Sequence, residues 1–272
     1  MPKLTPWDLY ELCAQHPPRD AALLDAMYWM GFENQPPVPA EHPHLAEDFS
    51  GSAALSRAWT TLFPDRSATA IDLDPEALEF ALARAARAGV AEAISFRCVN
   101  VMQADDQADL IFVGNFSICE LHMRQQLVAY FQRARARLSP GGMIACDLYG
   151  GADAYTPTEM EQDHEIDGRP VLYTWEQREA DVTTGMVENA MHFRVGDPDQ
   201  PELVLTDAFE YRWRLWSIPE LRDAMTEAGF ARTEVYHRYD CAEDEDGRVY
   251  ASPIIHGEEL EDNYFVFVVG RA

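Results

Sequence analysis

Between residues 43 and 147 the chain keeps one rhythm: a short apolar run, a turn, then a helix. Residues 45–49, 68–73, 93–101, 109–114 and 143–147 read as strands, with residues 53–62, 74–87 and 123–138 as helices. The run Leu110-Ile111-Phe112-Val113 has no polar interruption, which suits a strand covered on both faces of a parallel sheet. Strands alternating with helices of this length predict βαβ units and a doubly wound sheet. The expected class is therefore α/β. Its ligand crevice should lie beyond the carboxyl ends of the strands.

Local punctuation agrees with this rhythm. Asp74-Pro75-Glu76 sets an N-cap and a first-turn proline, and Gly89 stops that helix. Ser139-Pro140-Gly141-Gly142 reads as a turn before the fifth strand. Upstream, residues 8–15 and 20–30 carry apolar residues at helical spacing, and each opens on an Asp suited to an N-cap. They predict a helical cap over residues 1–40, ending in the linker Pro36-Pro37-Val38-Pro39. Downstream, residues 171–179, 186–195 and 203–215 are aromatic and β-branched and partly alternate, which predicts an inserted antiparallel sheet. Residues 219–229 return to helix and 232–237 to strand. Residues 240–262 hold nine acidic residues and one arginine and read as a solvated loop, before a last strand at 264–270. The expected units are a cap (1–40), a core (41–151 and 216–272) and a lid (152–215).

Charge and residue usage exclude several functions. Twenty-one basic against 47 acidic residues give a net charge of −26, which disfavours duplex nucleic acid and anionic membrane surfaces. Lys3 is the only lysine, so a GxxxxGK[ST] phosphate loop and a Tyr-x-x-x-Lys dehydrogenase pair are both impossible. The five cysteines are scattered without a C-x-x-C pair, as expected of small buried hydrophobes in a reducing compartment. No apolar run reaches the ~18 residues of a membrane span, and the N-terminus lacks a signal-peptide core, so a cytoplasmic location is expected. His42-x-His44 has no third ligand at helical spacing, and no metal is expected there.

The strand ends carry the chemistry. Glu47-Asp48-Phe49-Ser50-Gly51-Ser52-Ala53 is a strand–loop–helix turn with one glycine, a place where backbone approaches a ligand closely. Asp72 ends the second strand about 20 residues further on, where a carboxylate accepts the hydroxyls of a ribose. Asp74 is better explained as an N-cap. Asn100 and Val101 end the third strand, and an amide beside an apolar side chain suits adenine. Asn115 and Phe116 follow the buried fourth strand into the crevice.

In this order the segments resemble the class I S-adenosylmethionine-dependent methyltransferases. Within them the chain is similar to a bacterial group with an EDF(C/S)G(T/S)A first motif, a DLYGG segment and a YxWRLW segment, here residues 47–53, 147–151 and 211–216. The resemblance spans 45–150 and 205–270 and touches the cap only at Tyr10-Glu11 and Gln15. It implies a seven-stranded Rossmann-like sheet with its last strand antiparallel, and S-adenosyl-L-methionine as cofactor. It places Glu47 near the methionine amino group. Gly51 and its neighbour Phe49 would lie against methionine and ribose, Asp72 and Leu73 at the ribose, and Asn100 and Val101 around adenine. Asn115 and Phe116 would stand on the methionine and acceptor side. The chain departs from the family pattern in keeping one loop glycine, and in having Asn100 where an acid is usual.

Methyl transfer at a sulfonium asks the protein mainly for position and desolvation. Asn115, Tyr149 and His122 are the candidates for the reacting side of the pocket, and no residue stands out as a base. Trp175, Phe193, Phe209, Tyr211, Trp213 and Trp216 in the insertion are expected to pack the sheet and to roof an acceptor pocket. The expected function is methylation of a small molecule. The alternatives are methylation of a protein or peptide side chain, and a cofactor-binding module without turnover.

Overall fold

The computed structural model describes residues 4–32, 39–239, 242–243, 245, 249–255 and 260–272. The chain opens with α1 (Pro6–Ala14) and α2 (Pro17–Met30). The core then runs β1 (Leu45–Asp48), α3 (Ala54–Leu62), β2 (Ala68–Asp72), α4 (Pro75–Ala88), β3 (Ile94–Cys98), β4 (Ala108–Val113), α5 (Arg124–Arg137) and β5 (Leu138–Gly150). Four long strands follow, β6 (Thr158–Ile166), β7 (Arg169–Asp181), β8 (Met186–Asp197) and β9 (Gln200–Arg214). The chain returns through α6 (Ile218–Glu227), β10 (Arg232–His237), the short pair β11 (Ala242–Glu243) and β12 (Val249–Tyr250), and β13 (Tyr264–Arg271).

Seven strands form one sheet in the order β10-β13-β5-β4-β1-β2-β3. β1 to β5 pair in parallel, and β13 lies antiparallel between β5 and β10. The order reverses between β1 and β4, so the crevice of such a sheet opens there. Alternate strand residues serve two cores. Leu45, Leu110, Phe112 and Ala145 pack towards α2 and α3, while Ala46, Ile111, Val113 and Cys146 pack towards α5 and α6. β6 to β9 form a separate antiparallel sheet in sequence order. Its Val187, Trp213, Leu215 and Trp216 side join the α5 core, and its Val171, Tyr173, Met191 and Phe193 side join α1.

The elements differ from expectation in four places. The expected turn at 139–142 lies inside β5, where Gly141 takes φ 80 and the register to β4 slips between Ala108 and Leu110. A fourth lid strand, β6, precedes the three expected; its sequence TEMEQDHEI is polar and exposed, as an edge strand is. Asp8 does not start α1: Thr5 caps it, and Asp8 closes a capping box from the third helical position. Asp20 is likewise inside α2, which opens on Pro17-Pro18. The linker residues 36–38 lie outside the described residues, and part of the acidic loop is the β11–β12 pair.

A buried ion pair braces the crevice floor. Arg137 at the end of α5 donates to both oxygens of Asp48 at 2.7 and 3.0 Å, and the Tyr130 hydroxyl donates to the same carboxylate at 2.7 Å. Low dielectric makes such a pair costly to break from one side.

Candidate active site

The donor side is built on the loop between β1 and α3. Phe49, Gly51 and Ala53 all take positive φ (57, 51 and 53°), although only one is glycine. Left-handed backbone at Phe and Ala is strained and persists only where neighbours impose it. Here they do: Ser50 N–H donates to Ile71 O at 2.9 Å, and Ala53 N–H to Ser50 O at 2.8 Å. Gly51 N–H donates to Asp72 Oδ2 at 2.6 Å, while Asp74 N–H donates to Asp72 Oδ1 at 2.9 Å. The second-strand carboxylate therefore stands against the glycine of the first loop. Asp74 itself accepts from Glu76 N–H as an N-cap. The hydroxyls of Ser50 and Ser52 are buried without a hydrogen-bond partner.

Other donor-side residues are already engaged. Glu47 is buried and accepts from Ser56 N–H at 2.7 Å and from Ser56 Oγ at 2.5 Å. It thus ties β1 to the first turn of α3. Burial pushes its carboxyl up to about 7, against the pull of the Ser56 hydrogen bonds. Asn100 accepts from Met102 N–H at 2.9 Å and caps a short 3-10 turn at Val101–Gln103, with Val101 buried beneath. Leu73 is exposed at the mouth, beside the exposed thiol of Cys98.

Under the lid lies a cavity of ≈ 180 Å³ lined by residues of the cap, the core and the lid. Asn115 and Phe116 come from the end of β4, Tyr149 from β5, Trp175 and Gln177 from β7, and Tyr10 from α1. Asn115 and Phe116 are consecutive left-handed residues (φ 54 and 60°). Asp147 imposes this bend, because its buried carboxylate accepts both their N–H groups at 2.8 and 2.6 Å. It also accepts from Arg238 Nη1, while Arg238 Nη2 donates to Asp20 at 3.0 Å. Burial raises the Asp147 carboxyl to about 6 against the pull of Arg238. Phe116 packs edge-on against Tyr149 (4.9 Å) and Trp213 (6.0 Å). Trp175, Tyr211 and Trp213 form a stacked group above it, with Tyr211 and Trp213 centroids 4.4 Å apart. The Tyr149 hydroxyl faces Gln177 Oε1 at 3.5 Å.

His122 does not line this cavity. Its Nε2 bonds the carbonyl of Arg212 at 2.6 Å, and its own carbonyl accepts from Arg214. Glu120 accepts from Trp213 Nε1 at 2.7 Å, and Leu121 O accepts from Trp216 Nε1 at 3.1 Å. The segment 120–122 therefore sews the lid to the core. Trp216 belongs to that seam rather than to the roof. Sequence reasoning did not place Tyr10, Gln177 and Arg238 in the cavity; each lies far along the chain from the strand ends, and the resemblance at Tyr10-Glu11 carried no role for Tyr10. On the other face of the lid, Glu176, His192 and Asp207 bring ligand atoms within 4.8 Å of one another, but Arg178 is bonded to both carboxylates.

Residues 49–142 match a family model described as a methyltransferase domain. That stretch, from the loop after β1 into β5, carries a methyltransferase domain. No curated protein matches the chain by sequence. Solved structures match its fold over nearly the whole length. The S-adenosylmethionine-bound amino pentose methyltransferase CalS10 from Micromonospora echinaspora is 14% identical, with a TM-score of 0.67 over 100% of this chain and 99% of that one. DesVI of Streptomyces venezuelae is 17% identical, with a TM-score of 0.66 over 97% and 95%. The sugar N-methyltransferase KedS8 from a Streptoalloteichus species is 14% identical, with a TM-score of 0.63 over 100% and 93%.

The residues around Gly51 and Asp72 fit S-adenosylmethionine, the cofactor expected from the sequence. Asp72 spends one lone pair of Oδ2 on Gly51 N–H and one of Oδ1 on Asp74 N–H, and keeps others for a diol. The orphaned Ser50 and Ser52 hydroxyls supply further polar partners in the loop.

Proposed function

We propose that the protein methylates a small-molecule acceptor, an amino-bearing carbohydrate-like ring, in the cavity under the lid. The observation that carries this reading is the cavity itself. Aromatic rings and side-chain amides make up much of its wall, with Arg238 and Asp153 the charged groups, and a cavity of ≈ 180 Å³ suits a small ring. Aromatic faces take the apolar side of such a ring, and Gln177, Asn115 and Tyr149 offer neutral hydrogen bonds to its polar edge. CalS10 is described as an amino pentose methyltransferase and KedS8 as a sugar N-methyltransferase, which supports the same class.

Bound S-adenosylmethionine supplies an activated sulfonium methyl for in-line displacement. The chain's own residues hold and exclude. Asp72 takes the ribose hydroxyls, Gly51 with Phe49 and Leu73 lies along the donor, and Asn100 with Val101 stands at the adenine. Glu47 holds the α3 N-terminus that the donor loop leads into. Asp147 fixes Asn115 and Phe116, so the transfer point between donor and cavity is set before binding. Two carboxylates share one guanidinium there, and their excess negative charge favours the positive charge that grows on a methylated amine. Burial raises the phenols of Tyr10 and Tyr149 well above their usual range, so neither removes a proton from an ammonium. The acceptor amine accordingly enters neutral.

The experiment is transfer from methyl-labelled S-adenosylmethionine to a panel of amino sugars and to a cell extract split by size. Label should enter the small-molecule fraction. Label in the protein fraction would move the reading to side-chain methylation. Tight binding of the demethylated cofactor with no transfer to either would mark a module without turnover.

A further inference from the structure

Helix α1 adds nothing to either sheet, yet it stands between the donor loop and the lid. The Trp7 ring lies against Gly51: an ideal β-carbon on Gly51 would meet Trp7 Cζ3 at 3.5 Å and Cη2 at 3.7 Å. Two arginines of the core hold the helix there. Arg57 of α3 donates to the donor-loop carbonyl Ser52 O at 2.6 Å and to Glu11 at 2.7 Å. Arg84 of α4 reaches Glu11 at 3.4 Å and Asp8 at 3.7 Å. From the lid, Phe209 packs edge-on against Trp7 at 5.0 Å and tilts against Tyr10 at 4.9 Å.

A helix of nine residues has little stability of its own, so its position is set by these contacts. Single half-exposed ion pairs contribute little, but Arg57 ties Glu11 to the donor loop itself through Ser52 O. The clasp therefore registers the loop's position, not merely the surface of the core. A tryptophan delivered to the one glycine of that loop brings a large apolar edge to a ligand with a thioether-like chain.

We propose that Trp7 is a donor-binding residue. α1 closes the S-adenosylmethionine crevice with Trp7 as its outer wall, and the Glu11–Arg57 pair is the clasp that keeps this wall on the loop. The inference rests on the reading that the Gly51–Asp72 crevice holds the donor.

The test uses the full chain and S-adenosylhomocysteine, with affinity from calorimetry and dissociation rate from stopped flow. Trp7→Ala should weaken binding about tenfold or more, mostly through faster dissociation, and Trp7→Phe should restore most of it. Glu11→Gln should speed dissociation and remove its dependence on salt, because the wild-type clasp is an ion pair. Melting of the ligand-free variants reads their folding separately. Trp7→Ala binding as tightly as wild type, or more tightly because the ring had filled the ligand's space, overturns the proposal. So does a Glu11→Gln dissociation rate with the wild-type value and salt dependence, which holds even if Trp7→Ala does not fold. A wild-type chain that fails to bind S-adenosylhomocysteine overturns the donor reading as well.

Discussion

Each oxygen of Asp72 accepts one backbone N–H, so its carboxylate is oriented before any ligand arrives. Replacing it removes the diol partner and frees Gly51. Asp72→Ala is expected to lower S-adenosylhomocysteine affinity about tenfold or more, since a hydrogen bond to a charged group is worth ~1.5–3 kcal/mol. Calorimetry checks this, and an unchanged dissociation constant removes Asp72 from the site. Glu47 has a different signature. Folded, its carboxyl titrates at about 7 rather than 4.5, because burial penalises the charge. The folded state thus holds this proton more tightly than the unfolded chain does. The contribution to stability is full below about pH 4.5 and is lost as pH rises to about 7, on the order of 3 kcal/mol. Glu47→Gln keeps an acceptor for Ser56 but has no proton to lose. Chemical denaturation of this variant should show a smaller fall in stability between those pH values than wild type. Asp147 acts in the same sense over a lower window and is common to both proteins. An equal fall would mean that Glu47 is not the group responsible.

Among the elements, those with strong local signals were readable from sequence to within a few residues. α4 opens on Asp74 and Pro75 and closes on Gly89 in the left-handed conformation, as its sequence indicates. β10 spans Arg232–His237, as its apolar and β-branched run suggests. β6 was not readable, because an exposed edge strand needs no continuous apolar face and Met160 and Ile166 are the only apolar residues among its nine. The bulge in β5 was read as a turn because Pro-Gly-Gly is turn chemistry, which pairing with β4 and β13 overrode. The lid depends on its seam with residues 120–122. Glu120→Ala leaves the indole N–H of the buried Trp213 without its partner, at a cost of about 1–3 kcal/mol. Hydrogen exchange should then rise in β8 and β9 more than in β1 or β4. Uniform or unchanged exchange would show that Glu120 does not hold the lid.

At the scale of the whole molecule, a net charge of −26 makes the folded state repel itself. Raising salt from about 0.01 M to about 0.1 M shortens the Debye length from about 30 Å to about 10 Å and should raise the melting temperature. A fall instead would mean that the arginine–carboxylate pairs outweigh the repulsion. The two halves of the site were unequally legible at this scale. Asp72 and Gly51 could be paired from sequence because a βαβ unit always brings its first loop and second strand end together. Tyr10, Gln177 and Arg238 could not, because α1, β7 and the end of β10 meet only when the lid folds over the core.

The order of strands and helices in the core, the β1–α3 loop and the carboxylate of Asp72 that meets it were determined by the sequence itself. They follow from periodicity, turn chemistry and spacing within one βαβ unit, all of them local. The tertiary structure alone decided that Asp147 bends Asn115 and Phe116, and which side chains wall the cavity under the lid. Those outcomes depend on contacts between elements tens to hundreds of residues apart, such as Arg238 with Asp20, and no local pattern encodes where such partners meet.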